Sequence, residues 1–331
     1  MRYSSRIFQG PLRSVKLLQI FPIIVIVLLA LHWFSPQKPE WVQKTPGLKV
    51  AYATLLLPEN NTESPEIEQD PYFLSIRLLN YQSQHDEATR TAFSIPFLVL
   101  VTSGVDKWKC DQLAQEGAVI VPVDRLDVNW IEPGHERWRD VMIKLRLFEL
   151  VDYDRILFLD ADTFLLKPLD GIFDDPAAQP RETLQQTKIK PDEAPLPANY
   201  VFATLAEVMH TTHSYPPVPM SYFNAGFFLL SPSFELFKYY ISLFKLPGRF
   251  DTTYPEQNLL NYAHRQDGNM PWGRLFYGWN INLPHPNDIR KGVASVHAKL
   301  WTSGSELQPI EQELQNRWQA KKREMVEFYQ R

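Results

Sequence analysis

Apolar residues in this chain gather in short unbroken runs, separated by segments where they recur at three- and four-residue spacing. Lys49 to Leu57 (KVAYATLLL), Ile95 to Thr102 (IPFLVLVT), Gly117 to Val123 (GAVIVPV) and Arg155 to Leu159 (RILFL) have strand length and little polar interruption. That is the pattern of strands covered on both faces rather than strands with one wet side. Pro71 to about Gln84 and Lys107 to Glu116 read as helices, and so does Glu136 to Leu150, where Trp138, Val141, Leu145 and Phe148 repeat at helical spacing. Alternating strands and helices predict an α/β domain with a mostly parallel central sheet sheltered by helices. Phe223 to Ser231 (FNAGFFLLS) is a further core strand, Asp174 to Pro197 a surface loop, and Ile310 to Arg331 a charged, helix-prone tail.

The longest apolar run lies at the N-terminus. Leu17 to Phe34 (LLQIFPIIVIVLLALHWF) holds no acid, lysine or arginine and sits at the short end of what crosses a hydrocarbon core. Arg2, Arg6, Arg13 and Lys16 precede it, which keeps the N-terminus cytoplasmic. A cleaved signal peptide is the alternative, but the run ends in His32, Trp33 and Phe34 with no small-x-small cleavage pattern. The expectation is a type II arrangement: residues 1–16 a cytoplasmic tail, 17–34 a signal anchor, 35–48 a proline-bearing stem, 49–304 one lumenal domain and 305–331 a helical tail. A glycosylation sequon at Asn60-Asn61-Thr62 fits a lumenal body.

Composition narrows the function classes. The net charge of −4 supplies no basic excess for tracking nucleic-acid phosphates. Cys110 is the only cysteine, so an intrachain disulfide or a cysteine zinc site is excluded. With 331 residues and 44% hydrophobic composition, the chain has core enough without such staples.

The sharpest chemical signal is Asp160-Ala161-Asp162 directly after the RILFL strand. The carboxyl end of a parallel strand faces the crevice where open α/β sheets bind ligands. On an extended chain, residues two apart share a side, and two carboxylates there call for a positive charge between them. A divalent cation supplies it and suits phosphate oxygens as well; a capping aspartate beside a solvated one is the plainer alternative. Lys144 falls on the apolar face of its predicted helix, so either its stem runs out to water or its charge meets an anion. His297 suits a third ligand, or is an ordinary polar histidine. In Tyr222-Phe223-Asn224-Ala225-Gly226 an amide adjoins two small residues that admit close approach of another group, unless the strand simply bulges there. Glu256-Gln257-Asn258 opens a helical run and would cap it or reach into the site.

In chain order these segments resemble the family 8 glycosyltransferases, the glycogenin-like retaining enzymes, from about Lys49 to Ser303. The resemblance is carried by AYAT at Ala51, a helix opening with Tyr72, IKLRLFEL at Ile143, YDRILFLDADTFLLKPLD at Tyr153, FNAGFFLLSPS at Phe223, PEQNLLN at Pro255 and VHAKLW at Val296. It implies a single Rossmann-like nucleotide-diphospho-sugar transferase domain, a UDP-sugar donor, a glycan or glycoconjugate acceptor, and manganese. By position it implies Asp160, Asp162 and His297 as metal ligands and Lys144, Glu256 and Gln257 as catalytic groups. Thr54, Tyr72, Lys144, Ala161, Asn224 and Lys299 fall where the donor is held, beside the two aspartates. Two features depart from the family pattern. Glu256 stands where glycogenin-like members have aspartate, and HAKLWTSG replaces a histidine motif that continues to glycine and Lys-Pro-Trp. A Golgi or other secretory-pathway membrane location follows from the anchor together with the resemblance. The runner-up is a lumenal sugar-binding or scaffolding protein of the same fold without catalysis; a metal-dependent phosphohydrolase leaves Lys144 and the FNAG tract without a role.

Overall fold

A computed structural model describes residues 47–58, 70–126, 130–135, 138, 140–184, 190–302 and 312–331. The chain divides into residues 1–42 and residues 43–331, and the description concerns the second unit. The expected cytoplasmic tail, anchor and sequon, and all of the stem but Gly47 and Leu48, lie outside the described residues. Among the described residues no helix is long and apolar enough to cross a membrane.

The elements in chain order are β1 (Val50–Leu56), α1 (Pro71–Gln84), β2 (Phe97–Val101), α2 (Lys107–Gln115), β3 (Val119–Pro122), a 3₁₀ helix (Val141–Glu149), β4 (Arg155–Leu159) and β5 (Thr163–Leu165). After 3₁₀ turns at Asp170–Asp174 and Pro176–Ala178 come β6 (Arg181–Glu182), β7 (Asn199–Tyr200), β8 (Phe202–Ala206) and β9 (Phe223–Leu230). The chain ends with α3 (Phe234–Phe244), α4 (Pro255–Ala263), β10 (Gly273–Arg274), β11 (Ile281–Asn282), α5 (Pro286–Lys291), β12 (Ser295–His297) and α6 (Gln312–Tyr329).

Seven strands form the central sheet in the order β10-β8-β9-β4-β1-β2-β3. β1, β2, β3 and β4 run parallel, and β10 runs parallel to β8. Every residue of β1, β2 and β4 is buried, as their unbroken apolar sequences require. Side chains of alternate residues go to opposite faces: Ala51, Ala53 and Leu55 join the core with α3 and α4, whereas Val50, Tyr52 and Leu56 join the core with α1. α1 begins where Pro71 follows Asp70, whose carboxylate accepts from Phe73 N at 2.9 Å.

The central sheet is mostly parallel, as the strand–helix alternation predicts, with β9 alone antiparallel to its neighbours β4 and β8. Three readings of the sequence are corrected. β3 is an edge strand, with Val119 44% exposed, because it has a neighbour on one side only. Lys144 lies on a nine-residue 3₁₀ helix instead of a long α-helix. That element, VMIKLRLFE, is buried on nearly all sides, so it has no polar face to mark a period. The presumed loop over Asp174 to Pro197 carries a 3₁₀ turn and β6, which pairs with β7.

Candidate active site

The antiparallel strand creates the site. In the β4–β9 register Leu159 faces Phe227, which sets Gly226 beside Asp160 at the carboxyl end of β4. Asp160 N donates to Gly226 O at 2.7 Å. A parallel neighbour would have brought its own carboxyl end here; only an antiparallel one brings its first residues, Asn224-Ala225-Gly226.

The two aspartates are not held by extended geometry. The chain turns after Asp160, with Thr163 N donating to Asp160 O at 2.9 Å, and then enters β5. β5 pairs antiparallel with β12, and Thr163 faces His297 in that register. Ala298 N donates to Asp162 O at 3.0 Å, which fixes the histidine against the turn. His297 Nε2 thereby lies 2.8 Å from Asp162 Oδ1 and 3.8 Å from Asp160 Oδ2. One ligand atom from each of Asp160, Asp162 and His297 falls within 4.8 Å of the others.

Lys144 resolves the choice its position posed. It is buried, and its Nζ contacts Asp160 Oδ1 at 2.9 Å, Glu256 Oε1 at 3.0 Å and Ala225 O at 3.3 Å. Burial alone would lower its pKa; the Asp160 and Glu256 carboxylates reverse that and hold the ammonium above its ordinary value. Burial also works against charge on His297, but Asp162, then Asp160, raise its pKa to about 9. Asp162 is likewise desolvated, yet His297 and then Lys299 draw it down to about 2. Asp160 is raised, because burial outweighs what Lys144 and His297 offset. Each aspartate thus has a basic side chain against it, Lys144 beside Asp160 and His297 beside Asp162.

Gly226 makes that convergence possible. A Cβ there would stand 2.1 Å from His297 Cε1 and 2.6 Å from Asp160 Oδ2. His297 Nδ1 is buried without a hydrogen-bond partner, so Nε2 is the nitrogen turned to the carboxylates. Two carboxylates and one imidazole are a donor set suited to manganese or a similar divalent cation, so the residues present fit such an ion.

These groups open into a cleft of about 620 Å³ lined among others by Lys144, Asp160, Ala161, Asp162, Glu256 and Lys299. Tyr72 lines it from α1 and stands edge-on to Trp301, ring centroids 5.1 Å apart. Thr54 is fully buried with its hydroxyl unpartnered, and the lining contributed by β1 and the residues after it is Leu55, Leu57 and Pro58. Asn224 and Gln257 turn instead to a neighbouring cluster that sequence reasoning missed. At its centre is Glu207, which accepts from Gln257 Nε2 at 2.9 Å, Asn282 Nδ2 at 3.1 Å and Asn224 Nδ2 at 3.3 Å. Gln257 Oε1 accepts from Ala225 N at 3.0 Å, and Asn224 Oδ1 from Gly226 N at 2.8 Å. Burial raises the Glu207 carboxyl, opposed by the Asn224 hydrogen bond and the His297 charge. Nothing in the local sequence AEVMH distinguishes Glu207 from a solvated acid; only its three amide partners, distant in the chain, reveal it. The polar residues at the start of α4 are not simple caps: Glu256 reaches Lys144 and Gln257 reaches β9.

Comparison with known proteins sets this geometry among relatives. An uncharacterised protein of Schizosaccharomyces pombe is 29% identical over 296 residues, spanning 80% of this chain and 78% of that one. A second from the same organism is 30% identical over 265 residues, spanning 72% and 70% respectively. Among solved structures, the WbbM bifunctional glycosyltransferase aligns with a TM-score of 0.45 and 15% identity over 77% of this chain and 46% of its own. Residues 129–282 match the family model described as glycosyl transferase family 8. That span takes in Lys144, Asp160, Asp162, Asn224, Glu256 and Gln257, while His297 reaches the same centre from beyond it. This chain belongs to glycosyl transferase family 8.

Proposed function

We propose that this glycosyltransferase uses a UDP-sugar donor and a divalent cation, manganese foremost, to glycosylate a glycan or glycoconjugate, anchored as a single-pass type II protein in Golgi or other secretory membranes. The observation that carries the reading is the convergence of Asp160, Asp162 and His297 at the end of β4, where both aspartates line a cleft shared with Lys144 and Lys299. Asp160, Asp162 and His297 would hold the cation, which supplies Lewis-acid stabilisation of a departing diphosphate.

The chain's own residues do the rest. Lys144, and Lys299 at the cleft wall, place positive charge where the leaving group becomes more negative. Tyr72 and Thr54 are assigned to the nucleoside side, and Asn224, Glu207 and Gln257 to the hydroxyls of the donor sugar, which amides and a carboxylate recognise by accepting and donating together. Glu256, with Gln257 beside it, is assigned to stabilising the carbon from which UDP leaves. The acceptor hydroxyl attacks on the same face, its proton passing to the departing phosphate oxygen, so that configuration is retained through an oxocarbenium-like state. Rate comes from positioning and preorganised charge, with no covalent nucleophile.

The test is donor turnover by the full-length chain across UDP-glucose, UDP-galactose, UDP-N-acetylglucosamine and UDP-xylose, with and without manganese. At least one donor should be hydrolysed slowly in a manganese-dependent reaction, and Asp162→Ala should abolish it while leaving the circular dichroism spectrum unchanged. Turnover in Asp162→Ala equal to that of the natural chain would refute the metal role. Donor binding without any turnover would favour the non-catalytic sugar-binding reading.

A further inference from the structure

Two loops far apart in the chain close against each other at one side of the cleft. Gly134 N donates to Thr253 O at 3.0 Å, and Thr252 Oγ1 donates to Glu132 O at 3.0 Å. Gly134 allows the approach, since a Cβ there would lie 3.0 Å from Thr253 Cγ2 and 3.2 Å from Trp138 Cζ3. The seam carries aromatic rings in contact. Trp138 lies 4.9 Å from Tyr254 with planes 42° apart, and His135 stands edge-on to Trp138 at 4.4 Å. Trp138 lines the same cleft as Asp160 and Glu256. Tyr254 remains 47% exposed and is followed directly by Pro255 and Glu256, so this wall continues into the first turn of α4.

Aromatic rings kept half exposed at the edge of a cleft forgo the burial that would otherwise stabilise them. Here the backbone bonds between the loops fix them in that state. A ligand with a flat, CH-rich face and a hydroxyl rim covers such rings best, and a pyranose has that shape. Tyr72 on α1, which also lines the cleft, is the aromatic assigned above to the nucleoside. Arg125 and Asp140, an ion pair that also lines the cleft, offer donors and an acceptor for a rim of hydroxyls.

We propose that Trp138 and Tyr254 form the acceptor subsite, a stacking wall for the apolar face of a pyranose whose hydroxyls meet Arg125 and Asp140. The proposal rests on the transferase reading above, and its test separates the two. The full-length chain, with UDP and manganese present, is titrated by ligand-observed NMR with the methyl glycosides of β-galactose, β-glucose, α-mannose and β-xylose. At least one glycoside should bind, and Trp138→Ala and Tyr254→Ala should each weaken it by about tenfold. UDP affinity should stay within about twofold, and Trp138→Phe should keep most of the glycoside affinity. Tyr254 is exposed enough that its truncation keeps the fold and decides the matter should Trp138→Ala fail to fold. The proposal is overturned if a protein that binds UDP binds none of the glycosides. It is equally overturned if the substitutions weaken UDP and spare the glycoside, which would give the wall to the nucleobase. Failure of the natural chain to bind UDP with manganese defeats the donor reading alone; glycoside binding lost in Tyr254→Ala would still assign the wall.

Discussion

The tightest constraint at the residue scale is Gly226, which carries no chemistry of its own. Its missing side chain is the space occupied by the His297 ring and the Asp160 carboxylate. Gly226→Ala should keep the sheet, because the backbone there is ordinary strand, but it must push the imidazole off the carboxylates. Overpacking of that kind costs about 1–3 kcal/mol. Manganese affinity, followed by the electron paramagnetic resonance of the free ion, should fall at least about tenfold; unchanged affinity would mean that Gly226 does not shape the ligand set. The sequence announced a small-small pair beside an amide, and it announced the acid pair. It could not announce Glu207, whose recognition depends on amides from β9, α4 and β11.

A second residue-scale prediction concerns His264, packed against Phe202 and Tyr240. Its ring is wholly buried, stacks on Phe202 at 4.1 Å, takes a hydrogen bond from Tyr240 and gives one to Met270 O. Burial lowers its pKa to about 3. A histidine whose folded pKa lies below its unfolded value of about 6.5 stabilises the fold above pH 6.5 and loses that contribution as pH falls towards 3. The slope from this one group is about 1.4 kcal/mol per pH unit below 6.5. Chemical denaturation between pH 7 and pH 4.5 should show that slope weakened in His264→Gln, at lower overall stability.

At the scale of elements, the C-terminal helix changes most from what its sequence suggests. It reads as a charged tail, yet α6 buries Leu314, Trp318 and Met325 and ties Lys321 to Asp86 at 3.1 Å. Leu74, Leu78 and Tyr81 of α1 share that cluster, and Trp301 bridges Trp318 to Tyr72 in the cleft. Only three of its eighteen residues are buried, amid a run of charged and polar ones, so the sequence marks the helix but not its partner. Trp318→Ala should destabilise the domain by about 3–5 kcal/mol, measured by thermal or denaturant unfolding. A change under about 0.5 kcal/mol would show that α6 is a loose appendage. The 3₁₀ helix makes the converse point: its length was overread because residues buried all round lack the polar positions that end a pattern.

For the whole molecule, the two ends of the chain pose different questions. The strand–helix alternation marked one α/β domain, and the described residues form it around a seven-stranded sheet. The anchor at residues 17–34 remains a proposal drawn from hydropathy and the basic residues before it. Full-length chain expressed in cells should pellet with membranes and resist carbonate extraction, with Asn60 glycosylated if the body is lumenal. Recovery of the full-length chain in the soluble fraction would overturn the anchor, and the type II orientation with it.

What the sequence determined by itself was local: which segments are strands and helices, where an acid pair follows a strand, and which residue types could bind metal and phosphate. These follow from composition and period along a few neighbouring residues. Tertiary structure alone decided that β9 runs antiparallel, that β12 presents His297 to Asp162, that Lys144 meets both Asp160 and Glu256, and that three amides surround Glu207. Each of those joins residues remote in the chain, and strand direction and register depend on how whole faces pack, a quantity no short window of sequence contains.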